Sequence, residues 1–301
     1  MQFKIFLSLN NIFTLIKIAR FKNLLMILFT QVFAFYFLNP YADWHDLLRF
    51  RFLALVFCTV LVAAAGYIIN DYIDVKIDMA NKPSNVLVGV RISRRKTIFA
   101  HWFLTFLAAF FSLIINLKVF LLVIICSFLL WMYSEYFKKS YLAGNIMVAM
   151  LTSFTLLILF LYDENLYWPG IVSYSIFAFF TTLEREIIKD TEDIRGDAKF
   201  NSHTLPIRLG VRKTKDILLY LHLFNATLIF AFAFYIQPYF KNHVATYLVF
   251  LIYILLTVLL PMAAMAWFIK TADVKQDFSK LSRFAKIVML LGIMSMVFWK
   301  I

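Results

Sequence analysis

Nine long apolar segments dominate this sequence, and they restrict the chain to a fold that lipid can solvate. A transmembrane helix needs about 20 mostly apolar residues to cross the hydrocarbon core. The sequence therefore predicts an all-α integral membrane bundle of nine transmembrane helices. The predicted spans cover residues 22–38, 50–70, 97–117, 118–134, 142–162, 168–189, 215–236, 244–269 and 284–300.

The composition agrees with a membrane environment. Of the 301 residues 63% are hydrophobic and 16% are charged, whereas soluble domains average about 45–50% apolar residues. Cys58 and Cys126 both lie inside apolar segments, which argues against a disulfide framework or a zinc site. No linker separates a soluble part, so residues 1–301 are expected to form a single transmembrane domain. Residues 1–20 are expected to be an amphipathic lead-in at the membrane interface.

The positive charge is distributed unevenly between the two sets of loops. The formal net charge is +13, and Lys and Arg are concentrated in loops 71–96, 135–141, 190–214 and 270–283. The alternate loops are short and hold few of these residues. Because cytoplasmic loops of membrane proteins carry an excess of Lys and Arg, the first set is expected in the cytoplasm. This interpretation predicts a multi-pass protein of the cell membrane and requires neither nucleic acid nor an obligate protein partner.

Two matched acidic clusters follow predicted spans two and six. Both have the same spacing of i, i+3 and i+7, and they lie 119 residues apart along the chain. Residues at these spacings fall on one face of a helix. The two clusters therefore form an internal repeat on the predicted cytoplasmic side. Their members are Asp71, Asp74 and Asp78 in the first cluster and Asp190, Asp193 and Asp197 in the second.

Carboxylates at these positions require a positive partner. The C-terminal end of a helix already carries partial negative charge, and three carboxylates on one face also repel each other. Oxygen ligands of this kind suit hard divalent cations, and Mg²⁺ typically uses one or two carboxylates together with substrate phosphate. The clusters therefore predict a site for Mg²⁺ bound to a diphosphate.

The residues around both clusters match a known family. The motif Asn70-Asp71-x-x-Asp74-x-x-x-Asp78, with a second aspartate motif over 190–197, resembles the UbiA superfamily of membrane prenyltransferases. Further matching segments are Asn81-Lys82-Pro83, Arg91-Ile92-Ser93-Arg94-Arg95, Gly144-Asn145 and Thr204-Leu205-Pro206-Ile207-Arg208-Leu209-Gly210. The second motif, from Lys189 to Asp197, looks most like that of digeranylgeranylglyceryl phosphate synthases.

The resemblance implies a fold and a reaction. Nine helices would surround a central cavity, and the six aspartates would be catalytic by holding Mg²⁺ at its cytoplasmic mouth. The implied reaction transfers a polyprenyl group from a prenyl diphosphate to an acceptor. The best guess for this acceptor is a geranylgeranylglycerol-phosphate-type lipid. An aromatic quinone precursor of the menaquinone or ubiquinone type, or a tetrapyrrole, remains open as an alternative.

Eight further residues are candidates for substrate binding. Basic side chains would neutralise the leaving diphosphate, an Asn would orient metal or phosphate, and Tyr faces near the first cluster would stabilise an allylic cation. Lys138 and Lys139 are not distinguished by sequence. The candidates are Asn70, Lys82, Arg91, Lys138, Asn145, Lys189, Tyr67 and Tyr72.

Two other functional classes also have acidic residues near their spans and are alternatives to a prenyltransferase. A cation-coupled transporter would place its site near the bilayer midplane at broken helices, whereas these clusters lie at the predicted membrane edge. A metal-dependent phosphatidyltransferase would need an Asp-Gly-x-x-Ala-Arg segment, which neither cluster has. Glu184 and Glu186 flank Arg185 within span six, where either an ion pair or a role in ligand binding is expected.

Overall fold

The computed structural model describes residues 9–81 and 83–300, and these residues are almost entirely helical. We number the α-helices α1 to α12 in chain order. They are Leu9–Ile18, Phe21–Phe37, Phe50–Ile73, Val75–Asn81, Arg94–Ile115, Leu117–Glu135, Ala143–Tyr162, Trp168–Lys199, Leu205–Tyr235, Val244–Tyr253, Leu260–Thr271 and Lys275–Met294.

The prediction of an all-α membrane bundle is confirmed. Seven helical segments in the described part of the chain are long and apolar enough to cross a membrane. Two further helices of the bundle do not meet both conditions: α2 has 17 residues, and the 32-residue α8 carries the charged second cluster. The number of nine spans therefore stays a prediction. The seven segments are Phe50–Ile73, Arg94–Ile115, Leu117–Glu135, Ala143–Tyr162, Leu205–Phe240, Val244–Thr271 and Lys275–Trp299.

Asn116 separates α5 from α6, as the sequence suggested. Its backbone is extended, and its side-chain oxygen accepts a hydrogen bond from the Val119 amide at 2.8 Å. Its amide group donates to the carbonyl of Leu161 at 2.7 Å. The residue thus caps α6 and satisfies a free carbonyl at the end of α7, which would otherwise be costly in lipid.

Helix α3 lies at the centre of the bundle. In its most apolar stretch 61% of the residues are buried, against 17% for α6. Phe52, Leu55 and Ile68 are almost inaccessible. The outward faces of α5 and α6 instead expose large apolar side chains such as Phe106 and Phe128, as expected of helices that contact lipid.

The two acidic clusters are built differently, although their sequences are matched. Helix α8 continues through Lys199, so Asp190, Asp193 and Asp197 lie on one helix, as predicted. Helix α3 ends at Ile73, and Asp74 caps it with a backbone ψ of 1° before α4 begins. The first cluster is therefore not on one straight helix, because the chain turns between its second and third aspartates.

Two segments differ from the predicted helix boundaries. Helix α9 begins at Leu205, ten residues before the predicted start of that span, and it is kinked at Gly210, where φ is 79°. In the lead-in, α1 covers Leu9–Ile18, and Arg20 in the left-handed conformation, with φ of 55°, separates it from α2. Residues 1–8 of the predicted lead-in lie outside the described residues.

Candidate active site

A cavity of about 710 Å³ opens between the acidic clusters and continues into the bundle. Its mouth is lined by Asp78, Asn81, Asp193 and Asp197. Its depth is lined mainly by apolar side chains, and these include Leu130, Leu151, Phe177, Phe232, Phe250, Val288 and Met296. The cavity can therefore accommodate a charged group at one end and a long apolar group at the other.

The three aspartates of the first cluster have different partners. Asp71 accepts a hydrogen bond from Arg20 Nη2 at 3.1 Å. Asp74 is 2% exposed because the Lys138 ammonium covers it in an ion pair. Asp78 lies on α4 and lines the cavity. The first cluster is thus connected to the start of α2 and to the turn that follows α6.

The second cluster is held from three directions. The side-chain amide of Asn145 on α7 donates to Asp190 Oδ2 at 2.7 Å. Asp193 Oδ1 lies 3.4 Å from Lys275 Nζ on α12. Asn81 at the end of α4 donates to Asp197 Oδ1 at 3.3 Å. Three neighbouring elements therefore orient the three carboxylates along one helix.

Gly196 allows the two clusters to meet. A Cβ atom at this position would lie 1.8 Å from Asn81 Oδ1, so a side chain would displace Asn81 from its contact with α8. Lys275 strengthens the same junction, because its Nζ donates to the Asn81 carbonyl at 3.3 Å and also pairs with Asp193. The end of α4 is therefore fastened to α8 where the mouth of the cavity forms.

Two carboxylates at the mouth hold their protons more tightly than usual. The pKa of Asp78 is raised to about 6, chiefly by burial; Lys138 opposes this rise, and the charges of Asp74 and Asp71 contribute to it. The pKa of Asp197 is likewise raised to about 6, chiefly by burial and also by the charge of Asp193, against the opposing effects of Lys138 and of the hydrogen bond from Asn81. Crowded carboxylates of this kind are stabilised by an added cation.

Basic side chains lie between the acidic mouth and the apolar depth. Arg185 Nη1 and Lys189 Nζ both contact the Glu186 carboxylate, at 3.0 and 2.8 Å. Lys286 Nζ on α12 donates to Asn23 Oδ1 at 2.8 Å, and Asn23 in turn donates to the Tyr67 hydroxyl at 3.2 Å. These side chains, together with Arg20, line the same cavity.

Most of the predicted site residues lie around this one cavity. Those that line it are Tyr67, Asn70, Asp71, Asp78, Lys138, Lys189, Asp190, Asp193 and Asp197. Asp74 and Asn145 lie behind the surface and contact it through Lys138 and Asp190. Lys138 is distinguished from Lys139, because the Lys138 ammonium contacts Asp74 whereas the Lys139 backbone carbonyl accepts a hydrogen bond from the His203 amide.

Three predicted residues are placed elsewhere or not described. Arg91 is exposed in the turn before α5 and does not line the cavity. The Tyr72 ring instead packs under Arg94, whose guanidinium carbon lies 4.2 Å from the ring centroid. Lys82 lies outside the described residues.

Sequence reasoning missed several cavity residues. Arg20, Asn23 and Lys286 were not predicted as site residues, although all three line the cavity. A signal for Lys286 existed, because a charged residue inside an apolar segment is costly and usually functional. Arg20 and Asn23 offered no comparable signal, since their approach to α3 depends on the left-handed turn between α1 and α2.

Glu184 and Glu186 have separate roles in the packing. Glu186 forms the ion pair with Arg185 that was one of the two expected outcomes, and it does so in the cavity. Glu184 points away from the cavity and accepts hydrogen bonds from His222 Nδ1 at 2.7 Å and Asn225 Nδ2 at 3.1 Å. The opposite faces of α8 therefore serve the site and its attachment to α9.

No three acidic, His or Cys side chains in residues 9–81 and 83–300 converge closely enough to hold one metal ion alone. The carboxylates of the two clusters are instead distributed over α3, the turn that follows it, α4 and α8. This arrangement suits Mg²⁺, which takes one or two carboxylates and completes its coordination with water and phosphate oxygens.

The chain is similar to known membrane prenyltransferases. It matches the UbiA prenyltransferase family over residues 26–291. It is 31% identical, over 238 residues, to the digeranylgeranylglyceryl phosphate synthase of Methanosphaera stadtmanae, and the alignment covers 79% of this chain and 84% of that protein. A solved structure of a digeranylgeranylglyceryl phosphate synthase superimposes with a TM-score of 0.67 at 25% identity, covering 95% and 98% of the two chains.

A second solved structure shows the same fold with ligands bound. It is a UbiA homologue from Archaeoglobus fulgidus bound to GPP and Mg²⁺. Its TM-score is 0.58 at 14% identity, and the match covers 94% of this chain and 99% of that one. At this identity the likeness concerns the fold.

Proposed function

Because the chain belongs to the UbiA prenyltransferase family, we propose that it transfers a polyprenyl group to a geranylgeranylglycerol-phosphate-type lipid. The protein is a multi-pass membrane enzyme. The observation that carries this proposal is a cavity whose mouth is acidic and whose depth is apolar. A prenyl diphosphate has the matching polarity, with an anionic head and a long apolar tail. Relatives named for this acceptor, such as that of Methanosphaera stadtmanae, support the choice of lipid.

The acidic mouth would bind Mg²⁺ together with the donor's diphosphate. Asp71, Asp74, Asp78, Asp190, Asp193 and Asp197 would supply the ligands. Bound Mg²⁺ would neutralise the diphosphate and stabilise the negative charge that grows on it when the allylic C–O bond breaks. The raised pKa values of Asp78 and Asp197 support this assignment, because crowded carboxylates favour an added cation.

Basic and amide side chains would hold the diphosphate in one orientation. Lys138 lies against Asp74 at the mouth, so its ammonium can donate to a phosphate oxygen while Asp74 completes the first cluster. Lys189 lies one residue before the second cluster and would contact the same head group. Asn145 would fix the direction of Asp190, to which it donates at 2.7 Å. Asn70, which lines the cavity, and Lys82 remain candidates for further contacts.

The prenyl tail would lie in the apolar depth of the cavity. The apolar side chains there match the tail, which forms no hydrogen bonds. They also exclude water from the cation that forms at its first carbon. The Tyr67 ring lies one turn before Asp71 and lines the cavity, so its face is available to this cation. The Tyr67 ring already contacts one cation, since the Arg20 guanidinium carbon lies 4.8 Å from its centroid.

The mouth of the cavity would face the cytoplasm of the cell membrane. The loops that carry both acidic clusters are the basic set, and such loops remain on the cytoplasmic side. A donor that carries a charged diphosphate would then enter from the compartment in which it dissolves.

Formation of the prenylated product offers a direct test of the reaction. Purified protein in lipid vesicles is incubated with geranylgeranyl diphosphate, Mg²⁺ and geranylgeranylglyceryl phosphate, and the product is identified by mass spectrometry. We expect Mg²⁺-dependent transfer that Asp71→Ala and Asp190→Ala each abolish. The matched control is Asp216→Ala, which removes an exposed carboxylate on α9. Full activity of the first two variants would refute the proposed site.

A panel of acceptors tests the choice of lipid in the same assay. A quinone-ring precursor and a tetrapyrrole replace the glycerol phosphate lipid at equal concentration. Transfer to either ring, without transfer to the lipid, would retain the donor site and reject the acceptor.

A further inference from the structure

Four basic side chains of the cavity form a group that begins beside the acidic clusters and extends inward from them. We call Arg20, Arg185, Lys189 and Lys286 the inner cationic group; all four line the cavity. They come from the start of α2, from α8 and from α12. Contacts connect the first and last of them: Lys286 Nζ donates to Asn23, Asn23 donates to the Tyr67 hydroxyl, and the Arg20 guanidinium lies over the Tyr67 ring.

The carboxylates nearby do not balance this group. Arg20 pairs with Asp71, while Arg185 and Lys189 share the single carboxylate of Glu186. Lys286 donates to the neutral amide oxygen of Asn23, and within the described part of the chain no ion pair involves it. A cation in a spanning segment is costly unless an opposite charge is supplied, so this end of the cavity is suited to an anion.

The position of Lys286 separates it from the acidic mouth. Lys275, which pairs with Asp193 at the mouth, lies eleven residues earlier on the same helix. With a rise of 1.5 Å and 100° per residue, the Lys286 backbone lies about 16 Å further along the helix than that of Lys275 and only about 20° around it. The Lys286 ammonium is nevertheless close to the first cluster, because it hydrogen-bonds to Asn23, which hydrogen-bonds to Tyr67 one turn before Asp71. Lys275 contacts the rim of the cavity through Asp193, whereas Lys286 lines its interior.

We propose that Lys286, positioned by Asn23 and supported by Arg20, binds the phosphate of the acceptor lipid. This inference rests on the proposed function, which already supplies a glycerol phosphate acceptor. The donor's diphosphate belongs at the acidic mouth, where divalent metal can bridge it to the carboxylates. A second phosphate group needs its own cations, and Lys286, whose Nζ donates only to the neutral amide oxygen of Asn23 among the described contacts, can supply one.

The chemistry of the acceptor requires its phosphate to be close to the donor. Glycerol has three carbons, so the phosphate and the hydroxyl that attacks the prenyl carbon are at most two carbons apart. The two anionic head groups must then approach each other, and their repulsion must be reduced by cations between them. The inner cationic group lies between the mouth and the apolar depth and meets this requirement.

A paired comparison of acceptors tests the proposal. Wild-type protein, Lys286→Met and the control Lys280→Met, an exposed lysine on the same helix, are assayed with geranylgeranylglyceryl phosphate and with the same lipid lacking phosphate. We expect Lys286→Met to raise the KM for the phosphorylated acceptor roughly 10- to 100-fold, as loss of a charged hydrogen bond does. The KM for the donor, the activity with the dephosphorylated lipid and the Lys280→Met variant should remain unchanged.

Three outcomes would overturn the proposal. An equal loss with both acceptors would show that Lys286 only supports packing through Asn23. A rise in the donor's KM instead would place the diphosphate, rather than the acceptor phosphate, at Lys286. The third would be a KM for each acceptor that is the same in wild-type protein and in Lys286→Met.

A binding measurement separates this inference from the proposed function. Geranylgeranylglyceryl phosphate is titrated onto wild-type protein and Lys286→Met in micelles without donor, with the dephosphorylated lipid as reference. Tighter binding of the phosphorylated lipid that is lost in Lys286→Met supports the subsite even if no transfer occurs, in which case only the proposed reaction fails. Equal binding of the two lipids by wild-type protein refutes the subsite while leaving prenyl transfer to another acceptor intact.

Discussion

At the scale of single residues, the site depends on contacts between side chains that are distant in the sequence. Asn81 and Asp197 are 116 residues apart and meet at the mouth because Gly196 leaves room for Asn81. Lys138 lies beside Asp74, 64 residues away. These contacts set the direction and the proton affinity of the carboxylates, so substitutions there should change chemistry more than folding.

Gly196→Ala should weaken metal binding. The new methyl group would displace the Asn81 side chain, whose nearest atom is 1.8 Å away, and Asp197 would lose its orienting hydrogen bond. Loss of such a supporting contact typically costs roughly 10- to 100-fold in metal affinity or activity. Titration with Mn²⁺ measures the change. If Gly196→Ala binds metal as tightly as wild-type protein does, the junction between α4 and α8 does not organise the site.

Replacement of each of two adjacent lysines should affect activity to very different extents. Lys138→Met removes the cation at the mouth and should lower kcat/KM roughly 100-fold, as loss of one donor to a developing negative charge does. Lys139→Met should have little effect, because the contact at this position is made by the backbone carbonyl. The comparison is made with saturating Mg²⁺. Similar losses in both variants would contradict the assignment of Lys138.

Metal affinity should fall in acid. The pKa values of Asp78 and Asp197 are raised to about 6, so each carboxyl is mostly ionised at pH 7 and mostly protonated at pH 5. Because a metal must displace these protons, affinity should decrease about tenfold for each group over this interval. Mn²⁺ titrations at pH 5, 6, 7 and 8 measure the effect. An affinity that is flat down to pH 5 would mean that neither group binds metal.

At the scale of helices, α8 carries the second cluster on one face and its attachment to the bundle on another. Glu184, which is 2% exposed, accepts hydrogen bonds from His222 and Asn225 on α9. His222 Nε2 also lies 2.9 Å from the carbonyl of Met262 on α11. This buried contact joins three helices. It lies two residues before Glu186, which lines the charged part of the cavity.

Glu184→Ala should therefore destabilise the bundle without removing a ligand of the site. The change leaves His222 and Asn225 buried without their acceptor, which costs about 1–3 kcal/mol for each unsatisfied group. Thermal unfolding in micelles measures the loss, with Glu164→Ala, an exposed carboxylate in the turn before α8, as control. Equal melting temperatures for the two variants would show that the contact does not stabilise the protein.

At the scale of the whole molecule, the cavity joins a charged mouth to a closed apolar end. Tyr174, Phe232 and Phe250 line the deep part, and the Tyr174 hydroxyl bonds to Ser295 at 2.6 Å and to the Trp299 ring nitrogen at 3.2 Å. In the proposed binding mode these aromatic side chains would limit how far a prenyl tail extends, and so which donors fit.

Phe250→Leu should shift the preference toward longer donors. The smaller side chain lengthens the deep part of the cavity while keeping it apolar, which limits the loss of packing. The ratio of kcat/KM for a 25-carbon donor to that for a 20-carbon donor should rise severalfold, because an added carbon group in an apolar pocket contributes roughly 1–3 kcal/mol or less to binding. Phe230→Leu, on the exposed face of α9, is the control. An unchanged ratio would place the end of the tail elsewhere.

Apolar periodicity and residue type alone determined the helical membrane fold, the helix ends near Asn116 and the acidic clusters. These features depend on local composition, since about 20 apolar residues in lipid have few alternatives to a helix. Tertiary structure alone decided that Lys138 and not Lys139 reaches Asp74, that Arg91 and Tyr72 lie outside the cavity, and that Lys286 lies inside it. The physical reason is that each of these contacts joins different helices, and their relative rotation and depth depend on packing along the whole bundle. The apolar segments that opened the sequence thus specify the walls, and the packing of those walls specifies which charges share the cavity.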